Sequence, residues 1–410
     1  MKLLSLFAVC FLSCSCQKNK QNEPRDVVAR IHTKDSLITQ LSELQTQGYF
    51  NGVGVAVADS SGTLLSRGFG FRDVQAKTAY TPQTVQTIGS VSKTLIGLAL
   101  LKAQELGKLN VDDDASDYLP FTLRNPDYLH NKITIRHIAT HTSGINDTDA
   151  YLQHNYILYG NEKGKYSGDE HMNPPSAAMA MAGFLKSVLV KGDKFNSNDV
   201  WGNYAPGSKY AYSNFGAATA ALIVEKATGL SYDRFIGKYI LQPLKMTQTH
   251  FNSNEAVAKS MSVLYMDSVT AIQPYHLITY PDGGLASSPQ DMGRYLAELI
   301  KGYRGKGTLL TAESYREYFK QYLSESHFSA QRSTKNPYSD EYNSGLFIAH
   351  TPAGFIGHTG GDPGVASLLY FNPKTGKGAY MVVNTGINSK PGMKCFYNMY
   401  DLLIKYSDKL

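Results

Sequence analysis

The sequence predicts an α/β fold, an antiparallel sheet flanked by N- and C-terminal helices with a mainly helical domain inserted into it. Three observations carry this. Strand-like runs separated by turn residues occupy both ends of the chain, helical periodicity dominates its middle, and an amphipathic segment closes it. Near the start, a helix is expected over 35–47. Gly52–Ala58 reads as a strand, Asp59–Gly62 as a turn and Thr63–Gly70 as the returning strand. From Pro82 to about Gly305 helices are expected at Ser90–Glu105, Ile135–Thr142, Ala177–Val190, Phe215–Ala227 (ended by Gly229) and Pro289–Lys301. Strands are expected again at Ser344–His350, Phe355–His358, Ala366–Asn372 and Lys377–Val383, with a helix over Met393–Asp408. Sequential hairpins make such a sheet antiparallel. The reading therefore assigns 35–80 and 306–410 to the sheet domain and 81–305 to the helical insertion.

The first residues read as an export signal rather than as part of the fold. Met1-Lys2 precedes the apolar run Leu3–Leu12, which is too short to span a bilayer. Phe11–Cys16 resembles a bacterial lipoprotein cleavage site, with Cys14 or Cys16 as the lipidated residue and Cys14 preferred for its apolar approach. Residues 1–16 are then the signal and 17–34 a tether, so a lipid anchor in the bacterial cell envelope is expected. Of the 4 cysteines only Cys395 lies beyond this leader, which excludes a disulfide within the folded region and a cysteine metal cluster. A net charge of +6 over 410 residues, with no arginine or lysine stripe, argues against nucleic acid as a partner.

Ser90-Val91-Ser92-Lys93 opens a run that is apolar nearly all round. Residues three apart on a helix are neighbours, so the Ser90 hydroxyl and the Lys93 amine are expected within hydrogen-bond reach. A serine hydroxyl needs such a base to become a nucleophile at neutral pH. The helix start adds partial positive charge and free N–H groups. Two further segments stand out: Tyr212-Ser213-Asn214, just before a helix, and His358-Thr359-Gly360-Gly361, where a strand enters a glycine-rich loop.

On these residues the chain, from Asp35 onward, resembles the serine beta-lactamase and penicillin-binding-protein family. Ser90–Lys93 resembles its first motif, Tyr212–Asn214 the Tyr-x-Asn motif of the class C branch, and His358–Gly360 its Lys-Thr-Gly strand. Ile133–Gly144, Leu241–Leu244 and Pro281–Ser287 resemble the same family. The resemblance implies a Ser90 nucleophile that forms an acyl-enzyme, with Lys93 and Tyr212 sharing the base role. It further implies that Asn214 orients Lys93 and the substrate. His358, Thr359 and Gly360 would line the substrate strand, and the N–H groups of Ser90 and Gly361 the oxyanion hole. No metal or organic cofactor is implied. Lys93 must be neutral to accept a proton, against a free value near 10.4, each unit of depression costing about 1.4 kcal/mol. Alternatively an anionic Tyr212 leaves Lys93 charged, and the two form one coupled titration.

Two departures shape the expected chemistry. His358 stands where carboxylate-binding members carry lysine, and a neutral imidazole anchors a carboxylate more weakly. In the family a histidine there is typical of esterase-like and aminopeptidase-like members, so the resemblance implies such chemistry rather than efficient beta-lactam hydrolysis. The long stretch from Asn146 to Ala205 carries Tyr151, Tyr156, Tyr159, Tyr166 and Trp201, which are expected to wall the site or simply to pack on one another. Arg136 and His141 read as structural, and Asp282 as a minor polar contact. The expected activity is hydrolysis of an ester or amide, or transfer of its acyl group to an alcohol or amine. Two alternatives remain: a D-amino-acid peptidase or weak beta-lactamase acting on cell-wall-like substrates, and a surface lipoprotein that senses a ligand without turnover.

Overall fold

The computed structural model describes residues 23–160, 171–251, 255–328, 336–340 and 344–410. From the N-terminus, α1 (Glu23–Gln45) leads into the hairpin β1 (Gly52–Asp59) and β2 (Gly62–Asp73), then the short β3 (Thr78–Ala79). Next come β4 (Gln86–Thr87), a 3-10 turn over Gly89–Ser92, α2 (Lys93–Glu105), α3 (Ile135–Ala139) and α4 (Asp149–His154). The middle continues with β5 (Tyr156–Leu158), α5 (Met181–Leu189), α6 (Asn214–Thr228) and α7 (Tyr232–Ile236). It ends with β6 (His250–Phe251), α8 (Glu255–Ser260), β7 (Tyr275–Leu277) and β8 (Leu285–Ser287). Helices α9 (Pro289–Tyr303) and α10 (Ala312–Phe319) precede β9 (Ala349–His350), β10 (Ile356–Asp362), β11 (Val365–Asn372), β12 (Lys377–Val383) and α11 (Lys390–Ser407).

The main sheet runs β3-β2-β1-β12-β11-β10-β9, antiparallel throughout. Strand β1 pairs with β12 from Val53↔Val383 to Asp59↔Lys377, which joins the two ends of the chain at the sheet centre. Its alternation divides two cores. Val53, Val55 and Val57 face α1 and α11, where they meet Leu37, Leu41, Phe396, Met399 and Leu403. Ala56 and Ala58 face the opposite core, with Met292 and Leu296 of α9. The small alanines let α9 approach: a Cβ on Gly293 would stand 3.3 Å from that of Ala56.

Four details differ from the sequence reading. Helix α1 starts at Glu23, so residues 23–34, expected as tether, are already helical. Helix α9 packs on β1, β2 and β12, so it belongs with the sheet although it falls inside the range assigned to the insertion. Strand β10 runs on through Gly360 and Gly361 to Asp362, with Gly361 opposite Ala366, where a loop was expected. Finally, only Ala349–His350 of the expected Ser344–His350 strand pairs with β10. The reason is Phe347, whose φ of +54° turns the backbone away so that its N–H donates to Ala139 instead. No helix among the described residues is long and apolar enough to cross a membrane. Cys14, Cys16 and the rest of the leader lie outside the described residues.

Candidate active site

Ser90 lies in the 3-10 turn Gly89–Ser92, and α2 begins only at Lys93. In a 3-10 turn, residues three apart eclipse one another. Lys93 Nζ accordingly donates to Ser90 Oγ at 2.9 Å. The turn depends on Gly89, whose φ is +57° and whose missing Cβ would stand 2.7 Å from the Gly361 nitrogen. Glycine on both sides of this contact brings the edge of β10 against the turn, and Ser367 Oγ fastens it by donating to Ile88 O at 2.7 Å. Lys93 is fully buried. It also donates to the backbone carbonyl of Asp282 at 2.7 Å and lies 5.2 Å from the centre of the Tyr212 ring. Burial pushes its ammonium below the ordinary lysine value, while the carboxylates of Asp282, Asp147, Asp362 and Asp340 pull the other way.

Tyr212 reaches the same point from the far side of the helical region. Its phenol lies close to the Ser90 side chain, which favours the phenolate, but burial is the larger influence and holds it well above the ordinary tyrosine value. Burial thus favours the neutral form of both Lys93 and Tyr212. Ser213 caps α6, its Oγ accepting from the Gly216 N–H at 2.9 Å. Asp147 completes that cap by accepting from the N–H groups of Asn214 (2.9 Å) and Phe215 (3.1 Å) and from Ser213 Oγ (3.2 Å). The Asn214 side-chain amide also donates to Asp147, at 2.7 Å. The Asn214 amide is thus held by Asp147, while the hydrogen bonds of Lys93 go to Ser90 and to the Asp282 carbonyl. Asp147 was missed because its partners lie more than sixty residues downstream, a distance no local pattern reveals.

His358 is fully buried, with its ring centre 6.1 Å from that of Tyr212. Its Nδ1 bonds the Thr359 carbonyl at 2.6 Å, so Nδ1 carries the proton and Nε2 presents a lone pair with no partner. Burial lowers its affinity for a second proton, against the pull of Asp340, whose carboxylate lies 3.9 Å from Nδ1. Thr359 Oγ1 donates to that same carboxylate. Gly360 fits tightly under Ile88, and Gly361 is exposed beside the turn.

The aromatic wall is only partly present. Tyr151 and Tyr156 are buried and turn inward, the first donating to Asp282 Oδ1 at 2.8 Å and the second to Asp362 Oδ1 at 3.0 Å. Burial lifts both carboxyl groups to about 7. Asp282, expected as a minor contact, is thus a fully buried acid beside Lys93, with the half-buried Asp362 near it. Tyr159 packs against His276 at 4.6 Å between ring centres, Trp201 is buried, and Tyr166 lies outside the described residues.

A hydroxyl, an amine and a phenol meeting beside a strand edge define a serine-hydrolase type of site on a mixed α/β scaffold. The profile of the family described as Beta-lactamase matches residues 35–403, and the chain belongs to that family of serine hydrolases. Protein flp of Staphylococcus aureus (strain MRSA252) is 24% identical over 342 residues, which cover 82% of this chain and 60% of that protein. The chain therefore spans about 60% of the length of such curated relatives. Among solved structures, a class C beta-lactamase shares the fold at 19% identity and a TM-score of 0.63, over 94% of this chain and 98% of the other. The D-amino acid amidase of Ochrobactrum anthropi SV3 does so at 17% identity and 0.66, over 92% and 98%.

Proposed function

We propose that the chain is an acyl-enzyme-forming serine hydrolase that acts on small or medium esters or amides and can pass the acyl group to an alcohol or amine. The observation that carries this reading is the contact of 2.9 Å between Lys93 Nζ and Ser90 Oγ, made inside a buried site with the Tyr212 phenol on the same hydroxyl. Neutral Lys93 takes the Ser90 proton as Oγ attacks the substrate carbonyl carbon. The N–H groups of Ser90 and Gly361 stabilise the oxyanion. Tyr212 delivers a proton to the departing alcohol or amine as its bond to the carbonyl carbon breaks and takes one back from the Lys93 ammonium, leaving the acyl group on Ser90 and both side chains neutral. Water, or an alcohol or amine, then gives a proton to Lys93 as it attacks that ester, and Ser90 Oγ leaves with a proton returned through the same pair, which frees Ser90. His358, Thr359 and Gly360 line the substrate strand, and the partnerless Nε2 of His358 favours a hydrogen-bond donor over a carboxylate. Export and anchoring through Cys14 (or Cys16) to the bacterial cell envelope belong to the same proposal, supported by the pattern of Met1–Cys16.

Labelling with a fluorophosphonate probe tests the reading. The unaltered protein should label and Ser90→Ala should not; equal labelling would remove Ser90 as the nucleophile. An ester substrate that gives one burst and no steady state would identify a sensor instead.

A further inference from the structure

Tyr212 is held by a residue that the sequence reading left as structural. His141 follows α3, is buried to 1% exposure, and has a φ of +57°. Its carbonyl accepts from the Ala211 N–H at 2.8 Å, and its Nδ1 accepts from the Ser213 N–H at 3.1 Å. These are the two neighbours of Tyr212 in the chain. Between them, the imidazole stacks on the Tyr212 ring, with centres 4.6 Å apart and planes 29° from parallel. Behind the imidazole stands Phe347, edge-on at 5.1 Å.

Phe347 is itself left-handed, at φ +54°, and its N–H donates to Ala139 at 2.8 Å, just ahead of His141. Non-glycine residues in this region cost about 1–3 kcal/mol each and persist where the surroundings over-determine them. Two of the four such residues in the described chain meet here, directly behind the phenol that touches Ser90. Because Nδ1 is an acceptor, Nε2 carries the imidazole proton, and it is buried without a partner. Among the described residues, the ring's only polar contact therefore goes to the backbone beside Tyr212. Burial keeps the ring neutral, the state that this acceptor bond requires.

We infer that His141 is a positioning residue: it grips the backbone on both sides of Tyr212, supplies the platform for its ring, and so fixes the phenol against Ser90. The inference rests on the proposed role of Tyr212 in acyl transfer. A displacement of about 1 Å at a reacting group can cost on the order of a hundredfold in rate, so losing the platform should be felt in turnover.

His141→Asn is the informative variant. Asparagine tolerates the left-handed backbone and keeps an oxygen near the place of Nδ1, but removes the ring. On a p-nitrophenyl ester, kcat of His141→Asn should fall at least tenfold with KM within about twofold, at a melting temperature close to that of the unaltered protein. In a Tyr212→Phe background the same substitution should cost less than about twofold, since no phenol remains to position. An undiminished kcat in His141→Asn, or an equal loss in both backgrounds, overturns the clamp while leaving Tyr212 in its role. Normal turnover by Tyr212→Phe alone overturns the role of Tyr212, and the clamp with it.

Discussion

Asp282 gives Lys93 its backbone carbonyl at 2.7 Å while burying its own carboxyl group beside the same amine. One residue thus fixes the orientation of Lys93 and biases its charge. Its carboxylate is the largest of the influences that keep Lys93 protonated, and burial is the larger one opposing them. Asp282 and Asp362, both raised to about 7, and the depressed Lys93 amine form one group of interacting charges at the core of the site.

Asp282→Asn tests that arrangement in two ways. Without the carboxylate, Lys93 loses its proton more readily, so the limb of kcat/KM that rises with pH should move to lower pH. A limb left in place would mean that Lys93 is not the titrating base. Stability should respond as well. The fold raises the Asp282 value from 3.8 to about 7, so the native state holds a proton that the unfolded chain releases between those values. The contribution of this group is fully present below the unfolded value and is lost as pH rises towards the folded one. The melting temperature of Asp282→Asn relative to the parent should therefore increase from about pH 4 to about pH 8. A constant difference would contradict the raised value.

Lys93→Met keeps the length and apolar stem of the lysine while removing its amine. Steady-state turnover of an activated ester should fall by a factor on the order of 10²–10⁴, the usual contribution of a general base. Near-normal turnover would assign the base role elsewhere.

Gly89→Ala should disable the site with the rest of the fold intact. A Cβ there meets the Gly361 nitrogen and must push β10 away from Ser90. Gly107→Ala is the matched control, because φ is +66° there but the Cβ would enter open space. Both variants should lose about 1 kcal/mol or more of stability from the left-handed backbone. Only Gly89→Ala should lose acylation, measured as the rate of fluorophosphonate labelling.

His358→Lys places an ammonium where the imidazole offers a lone pair. Reactivity towards a carboxylate-bearing chromogenic cephalosporin should rise, read as the acylation rate. No gain would mean that other walls of the pocket reject that substrate.

Much of the site was legible because it is built from short-range patterns. The three-residue spacing from Ser90 to Lys93 survives whether the turn is 3-10 or α. Tyr212 and His358 sit where a helix start and a strand edge place them. Asp147 and the clamp by His141 depend on pairings between distant segments, which one sequence does not display. The inward turn of Tyr151 and Tyr156 escaped notice for a related reason. A tyrosine reads equally well as a wall or as a donor until its acceptor is known, and Asp282 and Asp362 lie more than a hundred residues away. In the fold, the late start of β9 follows from the backbone of Phe347, and no residue type announces a left-handed phenylalanine.

The pairing of β1 with β12 also governs when the molecule can work. Strand β10, which carries His358 and Gly361, reaches the opening hairpin only through β11 and β12. Contacts of such wide sequence separation form late and slowly. A chain still being synthesised therefore cannot complete the site around Ser90 before β12 is present, with only α11 left to follow.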